Sequence, residues 1–118
     1  MRTHIRRFKL SDTFIEQYKD REVPWGPLGY VTFKRTYARR LSEFDEEATG
    51  TEEWYQTCRR VIEGMFEMQK QHVYKLGLEW NDNKAQKTAK NAYDRLFNLK
   101  WTPPGRGLWM MGTKFIYE

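Results

Sequence analysis

Two long segments of the chain place apolar residues at helical spacing. The first, TEEWYQTCRRVIEGMFEMQKQHVYKLG, covers residues 51–77. Thr51 is a suitable N-cap, Glu52 and Glu53 would lie in the first turn, and Gly77 is a typical residue just beyond a helix end. The apolar positions recur every three or four residues, which predicts one amphipathic helix. They are Trp54, Cys58, Val61, Ile62, Met65, Met68, His72 and Leu76.

The second segment predicts a helix over residues 83–100 that Pro103 and Pro104 terminate. Its apolar side consists of Ala85, Ala89, Ala92, Tyr93, Leu96 and Phe97. Only a short turn separates the two helices, so we expect them to pack antiparallel and form the main core. The predicted fold is therefore mainly α.

A shorter helix is predicted near the N-terminus, over SDTFIEQYKD (11–20). Either Ser11 or Thr13 can cap it, and Thr13 with Glu16 has the spacing of a capping box. Its apolar side would carry Phe14, Ile15 and Tyr18.

The stretch between this helix and the first long one contains three different patterns. VPWGPLG (23–29) combines two prolines with two glycines and predicts an ordered loop. YVTFKRTYARR (30–40) is rich in β-branched and aromatic residues and predicts a short extended segment. EFDEEATG (43–50) is acidic and predicts an exposed linker.

The last segment, LWMMGTKFIY (108–117), follows a GRG turn at residues 105–107 and is apolar without a period of two. Such runs are typical of strands that are buried on both faces. A strand of this kind needs neighbours on each side, whereas the preceding residues predict mostly helices. We therefore expect it to be the first strand of a larger structure.

Composition restricts the functional classes. The chain has 118 residues, which suits one domain or a part of one, and its net charge is +5. No window is apolar enough to span a membrane, no secretory signal is apparent, and a single cysteine fits a reducing, cytoplasmic setting. The basic charge is compatible with a nucleic-acid partner, with anionic small molecules, or simply with a solvated surface.

Few residues form a chemically suggestive pattern. His4 and His72 have no neighbours at metal-ligand spacing, and Cys58 is better explained as a small buried side chain than as a nucleophile. The GRG turn does not match a phosphate-binding loop, although Arg106 could reach a phosphate or carboxylate. On composition alone, a tight turn with a surface arginine is the favoured explanation. We predict no metal site.

Three blocks in a fixed order carry a family resemblance. They are WGPLGYVTFKRTYAR (25–39), EEWYQTCRRVIEG (52–64) and AYDRLFNLKWTPPGRGLWMMGT (92–113). Together they resemble the N-terminal region of adenosylcobalamin-dependent ribonucleoside-triphosphate reductases, the monomeric class II ribonucleotide reductases. The resemblance extends from about Leu10 to Thr113, and the block that contains the GRG turn is the most specific.

The resemblance implies a helical region over residues 1–104, followed by a turn and the first strand of an α/β barrel over residues 105–118. In this family, adenosylcobalamin generates a thiyl radical on a loop cysteine, a cysteine pair supplies reducing equivalents to the ribose, and thioredoxin restores the pair. None of those cysteines matches a position here, and Cys58 should not take their role. The expected partners are the remainder of the reductase, a ribonucleoside triphosphate and thioredoxin. The cofactor would bind to that remainder, and the chain alone would be inactive.

For the substrate pocket, the resemblance implies supporting roles for Arg106, Gly107, Trp109, Gly112 and Thr113, and a structural or interface role for Arg35–Arg39. It implies no nucleic-acid partner. A split gene product, an intein-interrupted piece and a truncated chain would all fit. Two alternatives stay open: a free-standing basic helical module that binds nucleic acid, and a structural subunit that docks through its C-terminal strand.

Overall fold

The computed structural model describes residues 7–23, 29, 33–34 and 37–101. Within these ranges the chain forms helix α1 (Asp12–Glu16), a 3₁₀ turn (Leu41–Glu43), helix α2 (Trp54–Lys75) and helix α3 (Asp82–Phe97). This part of the chain contains no strand, only an isolated antiparallel bridge between Arg40 and Thr51. The prediction of a mainly helical region is confirmed. The apolar segment 108–117, predicted as a strand, lies outside the described residues, as do residues 24–28 of the loop predicted over 23–29.

Helices α2 and α3 pack against each other as predicted. The start of α2 lies beside the end of α3, because the indole of Trp54 donates to the carbonyl of Phe97 over 3.0 Å. One turn earlier on α3, the hydroxyl of Tyr93 donates to the carbonyl of Tyr55 over 2.9 Å. These bonds show that the two helices are antiparallel. Every predicted apolar residue of α3 is buried except Ala92, which is partly buried.

The observed ends of α2 show that the predicted N-cap is wrong and confirm the predicted glycine after the helix end. The helix begins two residues later than expected, with Glu53 as N-cap, and the Glu53 amide donates to Gln56 Oε1 over 2.8 Å. Thr51 instead forms the bridge to Arg40, so it cannot cap the helix. Gly77 takes a positive φ of 74° and its amide donates to Tyr74, as expected of the residue after a helix end.

The buried side of α2 follows the predicted apolar positions only in its first half. Trp54, Cys58, Val61 and Ile62 are buried, but Met68 is 46% exposed and Leu76 is 59% exposed, and His72 is also exposed. The second half buries a different set, which includes charged side chains: Phe66, Glu67 and Lys70. The apolar pattern therefore identified the helix but not the face that is buried along its full length.

The reason is an extended segment, residues 7–11, that lies along the second half of α2. Its Phe8 and Leu10 side chains are buried while Arg7 and Lys9 are exposed, the alternation of an extended chain. The Phe8 amide donates to Glu67 Oε1 over 2.6 Å, and the Leu10 amide donates to Glu63 Oε2 over 2.8 Å. Two residues of extended chain advance about 6.6 Å and four residues of helix about 6 Å, so the two repeats match. We call residues 7–11 the N-terminal strap.

Helix α1 is shorter than predicted. It spans Asp12–Glu16, with Ser11 at the N-cap position and turns over the next residues. Thr13 lies inside the helix, so the proposed capping box of Thr13 and Glu16 does not form. The buried residues Ile15 and Tyr18 still direct this segment toward the core, as the pattern predicted.

The prediction of an extended segment over residues 30–40 is wrong at Phe33 and Lys34, which are helical. The amide of Tyr37 donates to the carbonyl of Phe33 over 2.9 Å, which is a helical bond. Burial explains the difference: the Phe33 ring packs edge-on against Trp54, so tertiary packing determines the local backbone. The acidic segment 43–50 is largely exposed, as expected, and the Arg40–Thr51 bridge closes its base.

Candidate functional site

The residues predicted to support a substrate pocket lie at the end of the chain. Arg106, Gly107, Trp109, Gly112 and Thr113 are outside the described residues, so their roles stay predictions. The structure does describe the helical region that leads up to them and the charged groups that hold this region together.

The chain leaves α3 through a turn that fixes its direction. Leu99 has a positive φ of 60°, and the Lys100 amide donates to the Arg95 carbonyl over 2.8 Å. These two features define a helix end at which the residue with positive φ is usually glycine. Here that residue is Leu99, for which the left-handed conformation costs about 1–2 kcal/mol. Leu99 and Trp101 both pack against the core, and this packing offsets the cost. The backbone that enters the predicted substrate block is thus held at its start.

A buried ion pair lies at the start of α2. Arg60 Nε donates to Glu52 Oε2 over 2.9 Å and Arg60 Nη2 donates to Glu52 Oε1 over 3.0 Å, with both side chains at least 95% buried. The Thr57 hydroxyl and the Arg39 amide also donate to Glu52 Oε1, over 2.8 and 2.9 Å. The carboxylate therefore has several donors, as a buried charge requires.

Arg39 belongs to the RTYAR sequence for which we predicted a structural or interface role. Its side chain is buried, and Arg39 Nη2 donates to Glu43 Oε1 over 2.5 Å. Its backbone is fixed from both sides, because the Glu52 amide donates to the Arg39 carbonyl over 2.9 Å. These contacts support a structural role: Arg39 ties the acidic segment and the start of α2 together.

A second charged group joins α2 to the strap and α1. Arg59 donates to Glu63 over 2.8 Å, to Asp12 over 2.6 Å and to the Leu10 carbonyl over 3.0 Å. Burial raises the pKa of Glu63, although Arg59 beside it acts in the opposite direction. The hydrogen bond from Arg59 lowers the pKa of the exposed Asp12 carboxyl. These charges serve to position backbone and helix.

Cys58 does not have the environment of a reactive thiol. It is fully buried on α2, as predicted, and burial raises its pKa well above the usual value. The nearby Glu52 carboxylate acts in the same direction. A thiol that is inaccessible and protonated is a poor nucleophile. Cys58 therefore contributes packing.

Several clefts lie on the surface of the described region. One of about 510 Å³ lies between α1, the 3₁₀ turn and α2, and contains Arg59, Glu63 and the half-exposed Phe44. Others of about 540 and 310 Å³ lie beside the strap and beside Trp54. These volumes are at the lower part of the range for small-ligand sites. A corrinoid cofactor is much larger than any of these clefts, so the described residues do not fit adenosylcobalamin.

No group of three or more histidine, cysteine or carboxylate side chains is arranged to hold a metal ion among the residues described. Neither α2 nor any other helix in these ranges has the length and apolar character needed to cross a bilayer.

Sequence reasoning missed the buried pair of Glu52 and Arg60 and the two carboxylates that hold the strap. Glu52 was expected in the first turn of α2, where the helix dipole favours anions. The residue spacing did contain a signal. Glu52 and Arg60 are eight residues apart, and Glu63 and Glu67 follow Arg59 at intervals of four residues, which places these three on one side of a helix. Nothing in the sequence, however, shows that residues 7–11 are their partner.

Comparison with known proteins places this arrangement in a family. Residues 10–113 match the profile of the ribonucleotide reductase alpha domain. A probable adenosylcobalamin-dependent ribonucleoside-triphosphate reductase of Dictyostelium discoideum is 40% identical over 111 residues, which is 92% of this chain. The adenosylcobalamin-dependent ribonucleoside-triphosphate reductase of Euglena gracilis is 38% identical over 110 residues, or 91% of this chain.

A solved structure agrees with these matches. The crystal structure of a B-12 dependent (class II) ribonucleotide reductase superposes with a TM-score of 0.74 and 34% sequence identity, over 92% of this chain. The chain spans 14% of the length of each of these relatives. The alternative of a nucleic-acid-binding module gains no support from them. With a profile match over residues 10–113 and a corresponding fold, the chain belongs to the ribonucleotide reductase alpha-domain family.

Proposed function

We propose that this chain is the N-terminal helical region of an adenosylcobalamin-dependent ribonucleoside-triphosphate reductase and acts together with the remainder of that enzyme. The observation that carries the proposal is the match to such reductases over 92% of this chain, together with a class II fold over the same share. The whole enzyme converts ribonucleoside triphosphates to 2′-deoxyribonucleotides by thiyl-radical chemistry, for DNA synthesis. The proposal includes thioredoxin as reductant, a cytoplasmic location, and no nucleic-acid or membrane partner.

In this proposal the described residues are a support and not a catalytic centre. The helices α2 and α3 form a core in which side-chain hydrogen bonds join the start of α2 to the end of α3, and Leu99 sets the direction in which the chain leaves α3. The segment beyond it, residues 105–118, forms the turn and first strand of the barrel, and Arg106, Gly107, Trp109, Gly112 and Thr113 support the substrate pocket. The radical-forming and reducing cysteines, and the adenosylcobalamin site, belong to the remainder of the enzyme.

The test is reconstitution in two pieces. The chain is mixed with a reductase from which the matching N-terminal region has been removed, and reduction of a ribonucleoside triphosphate is measured with and without adenosylcobalamin. We expect each piece alone to be inactive and the complex to show activity that depends on the cofactor. If the two pieces form a stable complex that has no such activity, the proposal is wrong.

Cys58 supplies an internal control. Because this thiol is fully buried and protonated, Cys58→Ala should leave the activity of the reconstituted complex unchanged while reducing its thermal stability slightly. Loss of activity in a Cys58→Ala chain that still folds and binds its partner would instead assign the thiol a role in the reaction.

A further inference from the structure

One stripe of mostly apolar positions runs the full length of α2 but is buried over only half of it. The stripe advances by steps of four and three residues, which keeps its members on one side of the helix. Its members are Trp54, Cys58, Val61, Met65, Met68, His72 and Leu76. The first three are buried and Met65 is partly buried, whereas Met68 is 46% exposed, Leu76 is 59% exposed and His72 is also exposed. We call Met65, Met68, His72 and Leu76 the exposed stripe.

The elements that pack on α2 lie along its other sides. Helix α3 is joined to α2 at Tyr55, whose carbonyl accepts the Tyr93 hydroxyl over 2.9 Å. The strap is joined to α2 at Glu63 and Glu67, which accept its amides. With 3.6 residues per turn, these three positions of α2 lie about 90° or more around the helix axis from the middle of the exposed stripe. Neither α3 nor the strap therefore covers the exposed stripe.

The turn after α2 adds another exposed apolar side chain in a fixed position. The Gly77 amide donates to the Tyr74 carbonyl over 3.0 Å, and the Leu78 amide donates to the Val73 carbonyl over 3.1 Å. These are the two bonds of a Schellman motif, and they hold Leu78 against the end of the helix. Leu78 is nevertheless 58% exposed. Because the helix and the turn are both ordered before any partner binds, docking on them costs little conformational entropy.

The exposed stripe has the spacing that a second helix packs against. Steps of four and three residues are the repeat of helices that lie side by side with interlocking side chains. From Met65 to Leu76 the stripe is about 16 Å long, which is three helical turns. Methionine side chains adapt to the shape of a partner, and the His72 imidazole combines an apolar body with a polar tip. The fitting partner is therefore an amphipathic helix of about three turns.

A second copy of this chain suits the stripe poorly. Residues 65–76 make up less than two heptads, whereas helices that associate through such a seam generally need about three to four. Two separate chains would also have to offset their loss of translational and rotational freedom. A helix that belongs to the same enzyme is present at a high effective concentration, so a short seam is enough to dock it.

Building on the proposed function, we propose that an amphipathic helix from the remainder of the reductase packs along the exposed stripe. The chain spans 14% of the length of the reductases that it matches, so most of such an enzyme lies outside it and has to pack against part of its surface. Of the five large apolar side chains that are exposed among the described residues, four lie within residues 68–78. Concentrated exposed apolar surface is typical of an interaction site.

The experiment measures binding of the chain to a reductase that lacks the matching N-terminal region. Calorimetric titration compares the original chain with the variant Met68→Glu/Leu76→Glu, which introduces two charges on the exposed stripe. We expect the affinity to fall at least about tenfold, because two carboxylates would lose their water in the interface. Thermal unfolding of the variant alone should change little, because both side chains are largely exposed in the chain by itself.

A matched control makes the same change of charge elsewhere. Asn83→Glu/Asn91→Glu also introduces two carboxylates eight residues apart, at exposed positions of α3 that do not belong to the stripe. Its affinity should stay within about twofold of that of the original chain, since exposed charges are screened by salt. Equal losses in the two variants would show that added negative charge weakens the complex wherever it lies, and would overturn the proposal.

Failure of this docking surface is distinguishable from failure of the proposed function. If the original chain does not bind the shortened reductase, both are wrong. If the original chain and the Met68→Glu/Leu76→Glu variant bind it equally well, only the docking surface is wrong. Sedimentation of the chain alone should show a monomer. A dimer that Met68→Glu/Leu76→Glu dissociates would mean that a second copy occupies the stripe, which would also overturn the proposal.

Discussion

The two halves of helix α2 are buried in different ways. In the first half, Trp54, Cys58 and Ile62 are buried at the spacing that the apolar pattern predicts. In the second half, Glu67 is 3% exposed while Met68 beside it is 46% exposed. The second half therefore packs through a carboxylate as well as through apolar side chains such as Phe66.

The difference reflects what each half packs against. The first half faces α3, whose backbone groups are already bonded within the helix, so apolar contact is sufficient. The second half also faces the strap, an extended segment whose amides are not bonded within a helix of their own. Because buried amides need hydrogen-bond acceptors, side chains of α2 must provide them. Glu63 and Glu67 supply them, and this is why these carboxylates are wholly or partly buried beside the strap.

The largest effect should come from removing Glu52, the deeply buried carboxylate that precedes α2. Glu52→Ala leaves the Arg60 guanidinium buried without its partner and should reduce the free energy of unfolding by about 3–5 kcal/mol. Urea denaturation followed by circular dichroism measures it. Glu46→Ala, in the exposed acidic segment, is the control and should change stability by less than about 0.5 kcal/mol. Similar small effects for both would contradict a buried network.

The next prediction compares the apolar residues of the two halves directly. Ile62→Ala should cost about 2–5 kcal/mol, because Ile62 is fully buried. Met68→Ala should cost less than about 0.5 kcal/mol, because the Met68 side chain is largely exposed although the pattern predicts it to be buried. Comparable losses in thermal unfolding would show that the apolar face continues along α2 as the sequence suggested.

The strap contact in the second half should have a smaller effect that is also more local. Glu67→Leu removes the acceptor of the Phe8 amide and should cost about 1–3 kcal/mol, and Glu67→Gln, which retains an oxygen acceptor, should cost less. Amide hydrogen exchange measured by NMR gives the location. Exchange at Phe8 should accelerate in Glu67→Leu, whereas an unchanged rate there would mean that other contacts hold the strap.

The smallest effect is a pH dependence at Glu63. Since burial raises the pKa of this carboxyl, the folded state binds its proton more tightly than the unfolded state does. Its contribution to stability is therefore greatest at low pH and declines as the pH rises above the usual value of 4.5. Glu63→Gln cannot titrate, so the stability of the original chain relative to this variant should fall as the pH rises through that range. A relative stability that rises with pH would mean that the pairing with Arg59 outweighs burial.

The sequence predicts the long helices well because their signals are local. The apolar spacing of residues 85–97 and the glycine at position 77 each depend on neighbours within a few turns, and both predictions are confirmed. The helical conformation at Phe33 and the strap were not predictable in this way, because they depend on contacts between residues far apart in the chain. Phe8 and Glu67, for example, are separated by 59 positions.

The family could be predicted from three sequence blocks, since their order and spacing are specific even though no single block is. The individual pocket residues are a different matter. Arg106 and its neighbours carry a role only through the resemblance, because their function depends on groups that come from elsewhere in the enzyme. Local patterns contain no information about such groups.

The most direct test of the account is a chimeric enzyme. Residues 10–113 of this chain replace the matching region of the Dictyostelium discoideum reductase, with which the chain shares 40% identity. The account predicts that the chimera folds and reduces a ribonucleoside triphosphate with strict dependence on adenosylcobalamin. A chimera that folds and binds adenosylcobalamin but does not reduce the nucleotide would contradict it.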